Sequence, residues 1–504
     1  MIPIIDLFAG PGGLGEGFAL LGLNEGSPYF KIKLSVEKDV SAHRTLKLRS
    51  FFRQFPFGHA PEEYYFFLRG ELNSEEELYK KFQNEANQAS QEARLFELGS
   101  GSNKDEELDC WIREAIIGRT DWVLIGGPPC QAYSLIGRAR KSNQNGYKPE
   151  EDKKNYLYRE YLKIIAKHKP AVFVMENVKG LLSSRINGNS IFGKVISDLQ
   201  QPVNDCAYII HSLSVKSSYS LGKQLSPTDY VIESERHGIP QARHRVILLG
   251  IREDLSYIEP ETLQDDEQVT LIDVLGNLPE IRSGVSKQED KHELWSHHIK
   301  NAIGRRWMKG IRKRWGNELH EKLIEIISTV KTFEYDRGAR FIRDDNIKIN
   351  KLEWWYKDER LKGICNHETR THMPKDLWRY LFAAAFAEVK SRSPRLYEFP
   401  PDLLPKHKSV KTGDFDDRFR VQLAGRPSTT VTSHISKDGH YFIHPDPYQC
   451  RSLTVREAAR LQTFPDNYFF CGNRTQQYIQ VGNAVPPFLA YQIAKIVRDI
   501  LEKK

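Results

Sequence analysis

Cysteine is scarce and dispersed in this chain. The six cysteines, at 110, 130, 206, 365, 450 and 471, form no close pair and no CxxC. That spacing argues against a disulfide framework or a thiolate zinc site and points to a reducing compartment. Long apolar runs are missing as well, so no segment reaches the ~20 residues a membrane helix needs. Met1 leads directly into Ile4-Ile5-Asp6-Leu7-Phe8 without a basic leader, and no signal peptide is expected. The first glycine-rich turn lacks the register of G-x-G-x-x-G and is followed by no Walker lysine, which disfavours NAD and ATP. His367-Glu368-Thr369-Arg370-Thr371-His372 is not HExxH, because its second histidine falls at the wrong helical offset; it reads as a polar recognition surface, and no metal is expected. Internal repeats and low-complexity tracts are absent. Acidic residues do not dominate: the formal net charge is +8, a surplus that permits a polyanionic partner without requiring one.

What is present is a series of short apolar runs, each ended abruptly. Trp122-Val123-Leu124-Ile125 reads as a buried parallel strand. Gly126-Gly127-Pro128-Pro129 stops it, since proline cannot donate to a ladder, and leaves Cys130 at the tip of a stiff loop. In open α/β sheets that edge binds ligands. A buried structural thiol is the plain alternative to a nucleophile there. Pro3 to Phe8 is a first strand, and Ala9-Gly10-Pro11-Gly12-Gly13 the turn into a helix; this opening suits a nucleotide-like cofactor or a simple tight turn. Ile32 to Val36 ends in Glu37, placed either to bind ribose hydroxyls or to face solvent. Gly70-Glu71-Leu72 reads as the end of a third strand, and residues 73 to 118 as an insertion that decorates the fold, with a capping box from Ser74 to Glu77.

Beyond the cysteine, residues 138 to 154 read either as a polar loop able to close over a substrate or as an ordinary disordered surface loop. Ala171 to Met175 is another buried strand, ending in Glu176-Asn177-Val178, and a carboxylate at that edge is a candidate acid. Gln241-Ala242-Arg243-His244-Arg245 puts two guanidiniums on one face of an extended segment, for anions or for surface salt bridges. From about residue 263 the alternation of strand and helix fades. Residues 296 to 317 carry Arg305, Arg306 and Arg312 among seven basic residues, with Trp307 and Trp315 interleaved and no acid. That is the composition of a phosphate-contacting surface or of a solvated basic helix. Thr454 to Glu457 is a second capping box, and Gln480 to Pro487 leads into a final helix with proline in its first turn.

The order of Asp6-Leu7-Phe8-Ala9-Gly10, Pro129-Cys130-Gln131, Glu176-Asn177-Val178, Gln241 to Arg245, Arg426 to Thr432 and Gly482-Asn483-Ala484-Val485-Pro486 resembles the motif series of the cytosine-5 DNA methyltransferases of bacterial restriction–modification type. The resemblance implies an α/β fold: a Rossmann-like doubly wound S-adenosylmethionine-dependent methyltransferase domain with a second, smaller target-recognition domain. It places the catalytic domain at 1–262, target recognition and hinge at 263–469, and a segment returning to the catalytic domain at 470–504. It implies Cys130 as nucleophile on cytosine C6, Glu176 at N3, and Arg245 at O2 with Arg243 in support. S-adenosylmethionine would lie against Phe8, Ala9, Gly10, Gly12, Glu37, Glu71, Pro129, Leu157, Asn483 and Ala484. Double-stranded DNA would meet Gln131, Ser134, Gln241, Arg305, Arg306, Arg312 and Thr430. A cognate restriction endonuclease is an implied partner, and a monomer in a prokaryotic cytoplasm the implied state. Amino-methyltransferases of N6-adenine or N4-cytosine carry Asn/Asp-Pro-Pro-aromatic at this loop, and Cys130 argues against them. A tRNA cytosine methyltransferase and a catalytically dead homologue are the other classes to separate.

Overall fold

A computed structural model of the chain describes residues 1–22, 26–129, 157–186, 188–216, 225–255, 257–406 and 416–503. It divides into two compact units: Met1–Pro61 with Glu75–Gln268 and Ala484–Lys504, and Glu62–Ser74 with Val269–Asn483.

The first unit is built on one twisted sheet. β1 (Ile2–Leu7) lies at its centre, between β2 (Phe30–Glu37) and β4 (Val123–Gly126), with β3 (Ala93–Leu95) outside β2 and β5 (Val172–Val178) outside β4; these five run parallel. The strand His244–Arg252 then joins antiparallel to β5, and Tyr208–His211 antiparallel to that. The apolar runs are the strands because both faces of a parallel sheet are covered. The period of two assigns the sides. Ile5, Leu7, Leu34, Val36 and Leu124 share a core with the helices Ser102–Ile116, Leu157–His168 and Ile191–Gln200. Asp6 and its register partner Ser35 point to the other face. There α1 (Gly13–Ala19) packs on the C-terminal helix Pro487–Glu502. This is the Rossmann-like, doubly wound arrangement that the resemblance implies.

Two expectations need correction here. Residues 73 to 118 are not decoration: β3 is an edge strand of the sheet, and Leu108 and Ile112 of the helix Ser102–Ile116 are buried in the core. Glu71 does not end a strand. It follows the helix Glu62–Arg69, is exposed, accepts from Arg69 Nε at 2.8 Å, and belongs to the second unit.

The second unit centres on the helix Pro374–Lys390, whose apolar residues from Leu377 to Ala387 are buried, except for the half-buried Trp378. A helix hydrophobic all round is a core element. An antiparallel hairpin pairs Gly338–Arg343 with Gly363–Glu368. The helix Val455–Leu461 has the capping box its sequence promised: Thr454 N–H donates to Glu457 Oε2 at 2.7 Å and Glu457 N–H to Thr454 Oγ1 at 3.2 Å. Its arginines are buried and spoken for. Arg456 donates to the carbonyls of Cys365, Pro465 and Tyr468, and Arg460 grips Asp466. Buried charge survives only when paired in this way. Within 366–372 the residues Asn366, His367, Thr369 and His372 are internal and belong to no recognition surface, while Glu368 and Arg370 are half-buried and Thr371 is exposed: His367 is fully buried, with its ring nitrogens against Thr454 Oγ1 at 2.9 Å and Pro279 O at 3.0 Å. Trp307 is buried in the core of this unit and Trp315 packs on it, so neither indole belongs to a phosphate surface. Among the described residues, no helix is long and apolar enough to cross a membrane.

Candidate active site

The C-terminal edge of the first unit's sheet gathers the charged groups. β1 ends at Leu7, and Phe8 turns at φ +58°, a left-handed conformation that costs a non-glycine residue roughly 1–3 kcal/mol. Two hydrogen bonds hold the turn: Ala9 N–H to Val36 O at 3.1 Å and Gly10 N–H to Glu37 Oε2 at 2.8 Å. Gly10 also has positive φ, and a β-carbon built there would meet nothing within 4 Å. The loop therefore opens onto free space beside a carboxylate. Glu37 additionally accepts from the backbone N–H groups of Lys38 at 2.9 Å and Asp39 at 2.7 Å. Burial raises its pKa, and the three N–H donors oppose that rise.

At the end of β4, Gly126-Gly127-Pro128-Pro129 leaves the sheet beside β5. Asn177 Nδ2 donates to Pro128 O at 3.2 Å, which fixes the prolyl arm to β5. A β-carbon on Gly127 would lie 3.1 Å from Glu176 Oε2, so glycine is what lets the arm pass the carboxylate. Arg245, opposite Val178 in the antiparallel register, donates from Nε to Glu176 Oε1 at 2.9 Å and from Nη1 to its neighbour's carbonyl, His244 O, at 2.8 Å. Both members of the pair remain partly accessible. Arg243, on the same face, is buried; burial first and then the nearby Arg245 cation pull its pKa well below the ordinary guanidinium value, while Glu176 opposes. A carboxylate, two guanidiniums and a rigid arm thus meet at one strand edge.

The remaining expected site residues divide by where they lie. Cys130, Gln131 and Ser134 lie outside the described residues, as does the 138–154 loop. Gln241 is fully buried, and its carbonyl accepts from Ser234 Oγ at 2.8 Å. It braces the turn that carries Arg243 and is in no position to touch DNA. Ala9 and Ala484 are buried; Leu157 and Pro129 are half-buried. Asn483 and Thr430 belong to the second unit, the first exposed and the second half-buried. Arg305, Arg306 and Arg312 are exposed, also in the second unit.

Sequence reasoning passed over Asp6 and the groups behind it. Glu16 accepts both Arg49 Nε (3.0 Å) and Arg53 Nη1 (3.3 Å), and Arg53 reaches on to Glu92 at 2.6 Å. Asp6 is buried on this face, where the Gly15 backbone N–H approaches its carboxyl without well-formed hydrogen-bond geometry, and Ser35 Oγ beside it makes no hydrogen bond among the described residues. Burial pushes the Asp6 pKa up to about 8; Arg53 opposes and Glu37 adds to the rise. A lone acid inside an apolar strand was the available signal. An unfolded aspartate ionises near 3.8. Between that value and about 8 the native state holds a proton that the unfolded chain does not. Stability therefore falls as pH rises through this window. The Asp6→Asn variant, which has no proton to keep, should melt above wild type at pH 8. The gap should shrink by about 1.4 kcal/mol per pH unit towards pH 4. Melting curves across that range would refute the assignment if the gap were constant.

Against known proteins, residues 109–498 match the family model for C-5 cytosine-specific DNA methylases. The type II methyltransferase M.Bpa9945I of Bacillus paralicheniformis is 33% identical over 516 aligned positions, covering 99% of both chains. The DNA (cytosine-5-)-methyltransferase M.ApeKI of Aeropyrum pernix is 25% identical, covering 75% of this chain and 81% of its own. The type II methyltransferase M.DdeI of Desulfomicrobium norvegicum is 24% identical, over 98% and 87%. Six motifs in order, a sheet that brings three of them to one edge, and a family match across more than three quarters of the sequence lead to one statement: the chain belongs to the C-5 cytosine-specific DNA methylases.

Proposed function

We propose that this cytosine-5 DNA methyltransferase acts on a cytosine flipped out of a specific double-stranded sequence, through a covalent bond between Cys130 and C6 of the base. The observation that carries the reading is the Glu176–Arg245 pair beside the Gly126-Gly127-Pro128-Pro129 arm, which precedes Cys130 in the sequence. Cytosine C5 is a poor nucleophile. Addition of the Cys130 thiolate to C6 pushes electrons towards N3 and makes C5 enamine-like. Glu176 supplies the proton that N3 then takes up, and Arg245, with Arg243 behind it, holds O2. Once C5 has taken up the methyl group, its proton leaves to a base, that electron pair restores the C5–C6 double bond as the C6–S bond breaks, N3 gives its proton back, and the thiolate is restored. The target atom is out of reach inside a duplex, which is why flipping must come first.

The family implies S-adenosylmethionine as donor, and this chain's residues fit it: an open glycine loop, a carboxylate at the tip of β2, and Phe8 at the turn. When bound, it supplies an electrophilic methyl group on a sulfonium. Phe8 would pack on the adenine, Glu37 would bind the ribose, and Gly10 and Gly12 would line the methionine side, with Ala9, Pro129, Leu157, Asn483 and Ala484 completing the set. The place given to Glu71 passes to Glu97, which lies just past the true third strand and pairs with Lys38 at 3.0 Å. The names of the type II relatives support a place in restriction–modification; a cognate endonuclease as partner and a monomer acting in a prokaryotic cytoplasm are part of the same proposal.

The test is to incubate the protein with methyl-labelled S-adenosylmethionine and either duplex DNA or tRNA, then identify the labelled base. 5-Methylcytosine in DNA is expected. N4-methylcytosine, or label in tRNA alone, would overturn the reading. A 5-fluorocytosine duplex should in addition trap the protein covalently, because fluorine at C5 cannot leave as a proton does.

A further inference from the structure

The basic run of the second unit has a definite shape. Within 305–315, Trp307, Met308 and Ile311 point inward and are buried, and Trp315 is half-buried against Phe382. Arg305, Arg306, Lys309, Arg312 and Lys313 are exposed between them. The short helices Arg306–Lys309 and Ile311–Trp315 thus present a cationic ridge over an aromatic base. No acid interrupts the sequence from 294 to 317. No ion pair among the described residues engages Arg306, Lys309, Arg312 or Lys313.

At the N-terminal end of the ridge stands a turn with an unusual tip. Arg305 N–H donates to Ala302 O at 3.1 Å, which puts Ile303 and Gly304 at the two central positions. Such positions favour glycine, proline, asparagine, aspartate or serine. Ile303 is instead an isoleucine with 51% of its surface exposed, and a β-carbon on Gly304 would meet nothing within 4 Å. The tip is firmly mounted. Ala302 beneath it is fully buried, Trp378 Nε1 donates to His298 O at 2.8 Å just before it, and the Arg305 guanidinium lies 4.8 Å over the Trp378 ring just after it. A rigid apolar knob thus projects from the head of a row of cations that no ion pair among the described residues engages.

We propose that Ile303 is an apolar wedge that seats against the bases of duplex DNA while the ridge beside it follows the phosphates. The occupant follows from charge complementarity: a row of cations without acids suits a polyanion, and a bare aliphatic tip among them suits the apolar faces of bases that the phosphate-binding cations alone would leave untouched. Phosphate contacts carry no sequence information directly, whereas a wedge between base steps favours steps that unstack easily. Ile303 is accordingly a positioning residue that adds dependence on DNA deformability to the electrostatic grip of the ridge. The inference rests on the reading of the ridge as a phosphate surface, and the experiment separates the two.

Affinity for the methylated duplex, identified by product mapping, is measured against salt for wild type, Ile303→Ser, Ile303→Val and the double variant Arg306→Glu/Arg312→Glu. 2-Aminopurine is placed at successive positions of the duplex to report unstacking. Melting temperature and cofactor affinity, unchanged from wild type, establish folding. Ile303→Ser should bind about ten-fold more weakly, as expected when one apolar side chain no longer reaches the bases. Its salt slope should be unchanged, and one 2-aminopurine signal should vanish that Ile303→Val retains. The double variant should weaken binding and flatten the slope by about one unit for each phosphate it no longer neutralises. Wild-type affinity and fluorescence for Ile303→Ser, beside a flattened slope for the double variant, would overturn the wedge and leave the ridge. A flattened slope for Ile303→Ser would overturn it too, since the tip would then be serving the phosphate track. A double variant with wild-type slope would overturn the ridge itself, and the wedge with it.

Discussion

Replacing Cys130 by serine is expected to abolish methyl transfer while leaving affinity for S-adenosylmethionine and for duplex DNA largely intact. In the proposed mechanism the thiolate is the nucleophile, and a serine hydroxyl at neutral pH offers almost none of the corresponding anion. The Gly126-Gly127-Pro128-Pro129 arm, which precedes position 130 in the sequence, depends on neither atom. It is set by Gly126 leaving β4, by the two prolines, and by the bond from Asn177 Nδ2 to Pro128 O. Trapping on a 5-fluorocytosine duplex checks the identity of the nucleophile. Wild type should form one adduct, mapped by peptide mass to Cys130, and Cys130→Ser none. The competing thiols are poorly suited. Among the described free cysteines only Cys110 is exposed. Burial pushes the Cys365 thiol up to about 12 and the Cys450 thiol higher still. An adduct that survives in Cys130→Ser, or that maps to Cys110, would remove the covalent mechanism from this site.

The parts of the site that could be read from sequence are those where an apolar run is cut short by residues with a fixed mechanical meaning. Glycine and proline after Ile125, Glu-Asn-Val after Met175, and the alternating arginines before Val246 announce strand ends, and strand ends are where a parallel sheet presents chemistry. β3 carries no such signal: Ala93–Leu95 is three residues with an arginine in the middle, so Glu71 takes, in the sequence, the place that belongs past Leu95. Trp307 and Trp315 mislead because the cations around them mask a helical period whose inward face is apolar. His367 and Gln241 read as surface because they are polar. Each is buried, and tertiary partners far along the chain or just before it, Pro279 and Thr454 for His367 and Ser234 for the Gln241 carbonyl, settle the matter. Periodicity cannot report such partners. Asp6 lies inside the first motif, where its place in the series hides its burial against Ser35.

Changing Glu176 to glutamine is expected to lower the turnover rate by roughly 10²–10⁴-fold, the usual worth of general acid assistance. The geometry makes this variant a clean one. Glutamine has the same length, so its carbonyl oxygen can still accept from Arg245 Nε, a bond now made at 2.9 Å. The side chain also keeps clear of Gly127, whose missing β-carbon leaves the room that the carboxyl uses. What the amide cannot do is give up a proton to N3 as the thiolate adds to C6. The loss should therefore appear in kcat, with cofactor affinity close to wild type, because Glu37 and the Gly10 loop sit at a different pair of strands. Arg245→Lys should behave differently. Lysine keeps a charge but not the planar fork, so Glu176 loses its directional partner and O2 its donor. KM for DNA should then rise along with the fall in kcat. Single-turnover methylation, with cofactor binding measured separately, distinguishes the two patterns. Near-normal turnover by Glu176→Gln would show that the carboxylate only holds Arg245 in place, and the proton taken up by N3 would have to come from another group at this edge.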